Sequence, residues 1–196
     1  MSGSVDMSKK QALINEILDL ELEMFQNVRS RYPVSCQQKP DEFRLYRGAQ
    51  FSVWSVETLE SYLDDLIRAK SENKNLMTLK YARMENIIPP LNENPIIEEI
   101  AELELKSQKR MAEKYPNIID RARPLTDDSS ATSFLTYLKG ELETYSDKTL
   151  ELYLMDMNSC QDNGDDWSEL YYRTLVKEMG FESLDQVESE LNKKQS

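Results

Sequence analysis

Ile14-Asn15-Glu16-Ile17-Leu18-Asp19-Leu20-Glu21-Leu22 and Ile97-Glu98-Glu99-Ile100-Ala101-Glu102-Leu103-Glu104-Leu105 decide how this chain is to be read. Each segment has helical apolar spacing, and the two align residue for residue at an offset of 83, which still pairs Tyr32-Pro33 with Tyr115-Pro116. Beyond a longer loop in the second copy the offset becomes 91. Phe43 then meets Phe134, Tyr46 meets Tyr137, and Trp54-Ser55 meets Tyr145-Ser146. Thr58-Leu59-Glu60-Ser61-Tyr62-Leu63 meets Thr149-Leu150-Glu151-Leu152-Tyr153-Leu154, and Tyr81 meets Tyr172. Order and spacing that persist across most of each half point to a tandem duplication rather than to chance periodicity of leucines.

Each copy reads as four helices. In the first copy Leu13, Ile14, Ile17, Leu18, Met24, Phe25 and Val28 recur at helical spacing until Pro33. Pro40 opens a second helix carrying Phe43, Tyr46, Phe51 and Trp54, since a first-turn proline gives up no hydrogen bond. Ser55 reads as the cap of a third, with Leu59, Tyr62, Leu63, Leu66 and Ile67. Asn75, Leu76, Leu79 and Met84 mark the fourth, and Ser183 caps a short terminal helix from Leu184 to Leu191. No strand-like alternation occurs. The expected architecture is an all-α helical bundle of two tandem, pseudo-two-fold related four-helix repeats forming one compact domain. The expected boundaries are a disordered N-terminus at 1–8, repeat 1 at 9–88, a Pro-rich linker at 89–94 and repeat 2 at 95–196.

Composition narrows the functions. The 196 residues hold 24 basic and 36 acidic side chains, for a net charge of −12, and no histidine. Without histidine there is no Ser-His-Asp or Cys-His triad, no His-based zinc site and no Glu-x-x-His di-iron pattern. Strong acidity disfavours nucleic acid, and no basic run is present. The charge is uneven: residues 1–88 carry 12 bases and 13 acids, residues 89–196 carry 12 and 23. An anionic ligand would therefore sit more easily against the first half. Two cysteines fit a reducing cytosol, and neither a signal peptide nor a membrane span is read, so the expected location is cytoplasmic, away from membranes. No Gly-rich phosphate loop, Gly-x-Ser-x-Gly or Gly-x-Gly-x-x-Gly occurs. No cofactor or metal is expected.

Polar residues inside apolar stripes mark where a site could lie. Steps of seven from Ile14 fall on Glu21 and Val28, so Glu21 interrupts the apolar face of the first helix. Glu104 does the same between Ile97 and Met111. A buried carboxylate needs a partner, a bound cation or a raised pKa. Phe43, Arg47, Gln50 and Trp54 share one face of the second helix, and the repeat equivalents of Arg47 and Gln50 are Leu138 and Glu141. Two readings follow: a structural Glu21–Arg47 pair completed by Gln50, or a pocket between the repeats. That pocket would be lined by Glu21, Arg47, Gln50, Trp54, Glu104 and Glu141 with Tyr81 and Arg83 at its rim, and would hold a small zwitterionic or cationic ligand. Tyr171, Tyr172 and Arg173 extend the aromatic–arginine set on the fourth helices.

Cys36 lies in a loop near Lys39 and the second helix, where a reactive thiolate or a small buried side chain are both open readings. Cys160 sits at the end of the third helix of copy two, out of register with Cys36. Asp162-Asn163-Gly164-Asp165-Asp166 reads as a turn rather than a calcium loop, and Asp64-Asp65 and Asp127-Asp128 as cap or loop acids.

Ser35-Cys36-Gln37, Phe43 to Gln50-Phe51 and Trp54 resemble the signature of an uncharacterised bacterial family, domain of unknown function 4125. Asn75-Leu76-Met77-Thr78 with Lys80-Tyr81-Ala82-Arg83-Met84 is similar to its next block. Ser133-Phe134, Thr136-Tyr137-Leu138 and Gly140-Glu141-Leu142-Glu143-Thr144-Tyr145-Ser146 are similar to its C-terminal block. The resemblance covers roughly 10–185. It departs after the Ser-Cys-Gln, where Gln38-Lys39 precede Asp41 in place of immediate acids. It implies no activity, only an accessory role beside nucleotidyltransferase-like partners.

Two functions stand side by side. One is an accessory or interaction module that binds a protein or a small ligand. The other is a histidine-free enzyme using Glu21 or Glu104 as base, with Arg47 and Cys36. The lack of a recognisable catalytic set favours the first.

Overall fold

The computed structural model of the protein describes residues 2–28, 39–125 and 132–195. Among these residues there are ten helices and no strand. They are α1 (Ser2–Gln26), α2 (Pro40–Ser52), α3 (Val56–Ser71), α4 (Leu76–Met84), α5 (Ile96–Lys114), α6 (Pro116–Ile119), α7 (Phe134–Leu142), α8 (Asp147–Asp162), α9 (Trp167–Glu178) and α10 (Leu184–Gln195). The all-α class holds. The helix start does not match: α1 begins at Ser2, inside the stretch expected to be disordered. The second half also carries a four-residue helix, α6, because Pro116 restarts the chain after Tyr115 ends α5.

Local chemistry sets most of the helix ends. Ser55, Ser133 and Ser146 accept a hydrogen bond from the backbone N–H three residues on, at the starts of α3, α7 and α8. Asn75 and Asp166 do the same for α4 and α9. At the far ends, α3 and α8 close in the same way. Asn73 and Gly164 adopt left-handed backbone (φ 55° and 77°), and the following N–H groups of Lys74 and Asp165 bond the carbonyls of Ala69 and Cys160. The Asp162–Asp166 stretch is thus the exit of one helix and the cap of the next.

Packing is built on two spines. α1 packs against α2, α3 and α4, and α5 against α7, α8 and α9. Three further contacts cross between halves: α2 on α9, α4 on α7 and α3 on α8. The α3–α8 contact is reciprocal. Asp156 accepts from the Ser55 N–H (2.8 Å) and the Thr58 hydroxyl (2.6 Å) at the start of α3. Asp65 accepts from the Ser146 N–H (2.9 Å) and the Thr149 hydroxyl (2.7 Å) at the start of α8. Each helix thereby supplies a carboxylate to the positive end of the other.

The main core joins the halves through aromatic rings. Trp54 lies 5.1 Å from Phe51, 5.6 Å from Tyr62, 5.9 Å from Tyr145 and 4.9 Å from Tyr153. A smaller core lies among α5, α6, α9 and α10 around Met111, Ile118 and Leu175. Two side chains expected on apolar faces point outward: Tyr46 is 47% exposed and Ile67 49%. On α3 the inner face is already filled by Leu59, Tyr62, Leu63, Leu66 and Ala69, and Ile67 is one helical step past its edge.

Candidate functional site

Glu21 sits at the middle of the buried face of α1 and is fully buried. Arg47, one face of α2, meets it with a two-pronged contact: Nε donates to Oε2 at 2.8 Å and Nη2 donates to Oε1. The remaining Arg47 nitrogen, Nη1, donates to Gln50 Oε1 (2.6 Å) and to Glu141 Oε1 (2.7 Å). The guanidinium also lies over the Phe51 ring, 4.8 Å from its centroid. Tyr62 from α3 donates to Glu21 at 2.6 Å. Glu141, brought in by α7, accepts from Lys80 of α4 (2.5 Å), from Tyr145 (2.6 Å) and from Gln50 (3.2 Å). Lys80 covers the Tyr137 ring at 3.6 Å.

Gly140 makes the last approach possible. A Cβ there would fall 2.8 Å from Met84 Cγ and 3.3 Å from the Lys80 carbonyl, so only glycine lets α7 lie this close to α4. The cluster thus draws on four helices of the first half and one of the second, and balances two carboxylates with two cations. Its charges polarise one another. Burial by itself would raise the Glu141 carboxyl, yet Arg47 and Lys80 hold it well below the usual carboxylate range. Burial would likewise lower Arg47, and Glu141 and Glu21 drive it well above its ordinary value instead.

Glu104 stands apart from this cluster. It is 7% exposed, and the Tyr153 hydroxyl donates to it. No cation is paired with it, because Leu138 occupies the position that corresponds to Arg47. Burial pushes its carboxyl up to about 7, with the Tyr153 hydrogen bond opposing and the Glu141 charge adding to the rise.

The other expected site residues are dispersed. Trp54 is a core ring whose indole nitrogen is buried without a hydrogen bond. Tyr81 is half-buried and stacks on Phe25 at 6.1 Å. Arg83 is not at a pocket rim with Arg47: it is tied to Glu143 by two hydrogen bonds and to the Ile88 carbonyl, fastening the proline-containing connection to α7. Cys36 and Asp127-Asp128 lie outside the described residues. The buried Cys160 thiol is pushed up to about 11 by burial and by Asp165 and Asp166. Lys80, Tyr62 and Tyr145 are the members that sequence reading missed. Lys80 carried a signal, since it shares a buried helical face with Leu76 and Met77 as Glu21 does on α1. The two tyrosines carried none, because their rings read as ordinary core.

The open concavity of the molecule lies elsewhere. A cleft of about 620 Å³ runs between α5, α8 and α9, with Met111, Met157 and Trp167 in its floor. Lys106, Arg110 and Lys114 line its α5 side. Arg110 Nε donates to Asp166 at 2.6 Å and Lys114 to Glu169 at 3.1 Å. A second cleft of about 430 Å³ continues from it past Lys114 and Glu169 towards Arg173, Lys177 and Leu184. Among the described residues no group of three His, Cys, Asp or Glu side chains is arranged to hold a metal ion. No helix is long and apolar enough to cross a membrane.

Neither a curated protein nor a solved structure matches the chain. The model of a family described as a protein of unknown function, DUF4125, matches residues 11–189, spanning the Arg47 cluster and both clefts, and the chain belongs to that family.

Proposed function

We propose that the protein is an accessory binding module, and that the Glu21–Arg47–Glu141–Lys80 cluster is its internal clamp rather than a reaction centre. The observation that carries this reading is Arg47, 5% exposed, with four of its five N–H groups donated to Glu21, Gln50 and Glu141. A small zwitterion would have to displace these bonds and would find no open surface beside them. The reading also takes the chain as an internal duplication. It is supported by the reciprocal Asp65 and Asp156 caps and by the matched Tyr62–Glu21 and Tyr153–Glu104 hydrogen bonds. In the second copy Leu138 replaces the arginine, so the clamp is single and joins the copies through Glu141. A histidine-poor, metal-poor interior and two isolated cysteines suit a module working in the cytosol.

The test is a thermal-shift screen of metabolites and divalent ions, run with native mass spectrometry of the chain purified from its own cells. The module reading expects a bound protein partner and no metabolite whose stabilisation disappears in Glu21→Gln. A compound class that raises Tm in the native chain, loses that effect in Glu21→Gln and is turned over would establish the enzyme reading instead.

A further inference from the structure

The double cleft along α5 and α9 is the place where this module would meet its partner, and the inference below rests on the binding-module reading. The second half of the chain has 12 bases against 23 acids, yet five of those bases line this one groove: Lys106, Arg110, Lys114, Arg173 and Lys177. The acids within the groove's wall are already engaged. Asp166 accepts from the Ser107 hydroxyl, the Glu169 N–H and Arg110 Nε. Glu169 accepts from Lys114 and Arg173. The remaining acids stand in the turns at either end, Asp165 before α9 and Glu182 and Asp185 after it.

The cations keep donors to spare. Arg110 uses only Nε, leaving both Nη groups, and its side chain is 60% exposed. Lys106 comes no nearer than 3.8 Å to Glu102 and is 64% exposed. Lys106, Arg110 and Lys114 are spaced four residues apart, which sets them about 6 Å apart along α5. That is the rise between acidic side chains at i, i+4 and i+8 of another helix. The floor beneath them is apolar, with Met157 and Trp167 in the first cleft and Val176 and Leu184 in the second. Flexible methionine and a tryptophan face suit an apolar helix stripe.

We infer that the α5–α9 groove binds an acidic amphipathic helix of a partner protein, its carboxylates aligned on Lys106, Arg110 and Lys114 and its apolar stripe on the floor of the clefts.

The probe is a fluorescein-labelled 20-residue helical peptide with glutamates at i, i+4 and i+8 beside a leucine stripe, and a twin with lysines in place of those glutamates. Fluorescence anisotropy with the full chain is expected to saturate with the acidic peptide and not with its twin. Affinity should fall at least tenfold in Arg110→Glu and weaken with added salt, while Lys148→Glu leaves it unchanged. Circular dichroism of each variant checks that it is folded. Equal binding of both peptides, no binding, an unaffected Arg110→Glu, or full competition by single-stranded RNA would each overturn the inference. A second arm separates this failure from failure of the module reading. With p-benzoylphenylalanine in place of Lys106 or, on the exposed face of α3, Ile67, crosslinks in cells at Lys106 to an acidic helical segment support the groove. Crosslinks at Ile67 alone overturn the groove and leave the module. Their absence at both, with no co-purifying protein, overturns both.

Discussion

Glu21 and Glu104 are the same residue at matching points of two similar helices, yet their surroundings give them opposite behaviour. Glu21 is held by Arg47 and Tyr62. Removing one partner of such a buried pair strands the other charge, so Arg47→Leu is expected to lower stability by roughly 3–5 kcal/mol, read from chemical denaturation. Glu104 has only Tyr153. Its folded carboxyl, raised to about 7, keeps a proton that the unfolded chain releases near the ordinary value of 4.5. The stability it contributes is therefore complete below that ordinary value and is lost as pH rises through about 7, by an amount on the order of 3 kcal/mol. Glu104→Gln should flatten this loss and leave the variant at least as stable as the native chain at pH 8, measured as Tm against pH. Glu141 slopes the other way: its depressed carboxyl contributes above the ordinary range and loses that contribution in acid.

At the scale of elements, two interfaces carry specific chemistry. The α4–α7 approach depends on Gly140, and its counterpart in the first copy is Ala49, 2% exposed in the core beside α9. Gly140→Leu would push Met84 and the Lys80 backbone away and separate Lys80 from Glu141. The expected loss is about 1–3 kcal/mol or more, seen as a lowered Tm with unchanged helix content. The α3–α8 interface depends on two exchanged caps. Asp65→Asn and Asp156→Asn are each expected to cost about 1 kcal/mol, since the amide accepts fewer of the Ser and Thr bonds and loses the charge at the helix start. Because Ser61 also bonds Thr149 across this interface at 2.8 Å, the double variant should depart from the sum of the singles, which a double-mutant cycle measures.

At the scale of the whole molecule, polar side chains are sorted into a sealed interior clamp and an open basic groove. The clamp balances its charges and reaches across the halves, which suits rigidity rather than turnover. The groove gathers cations in the acidic half, so the net charge of −12 describes the whole surface and conceals a local reversal along α5 and α9. The expectation that an anion would favour the first half was an inference from summed charge alone. Summed charge takes no account of helices that bring Lys106, Arg110 and Arg173 to one side.

Much of this was legible along the chain. Apolar spacing, Pro40, and the caps Ser55, Ser146 and Ser183 determined the helices, because helix starts and faces are local properties of a few neighbouring residues. A glutamate set in an apolar stripe announced a buried polar site, and Arg47 with Gln50 one turn apart supplied the partner. What only the tertiary structure decided was how far that site extends and whether it is open. Lys80, Tyr62, Tyr145 and Glu141 reach it from four separate places in the sequence, and their meeting depends on how α4 and α7 cross at Gly140. The clefts are likewise a product of packing. Concavity belongs to the space left between helices, and no single helix encodes it.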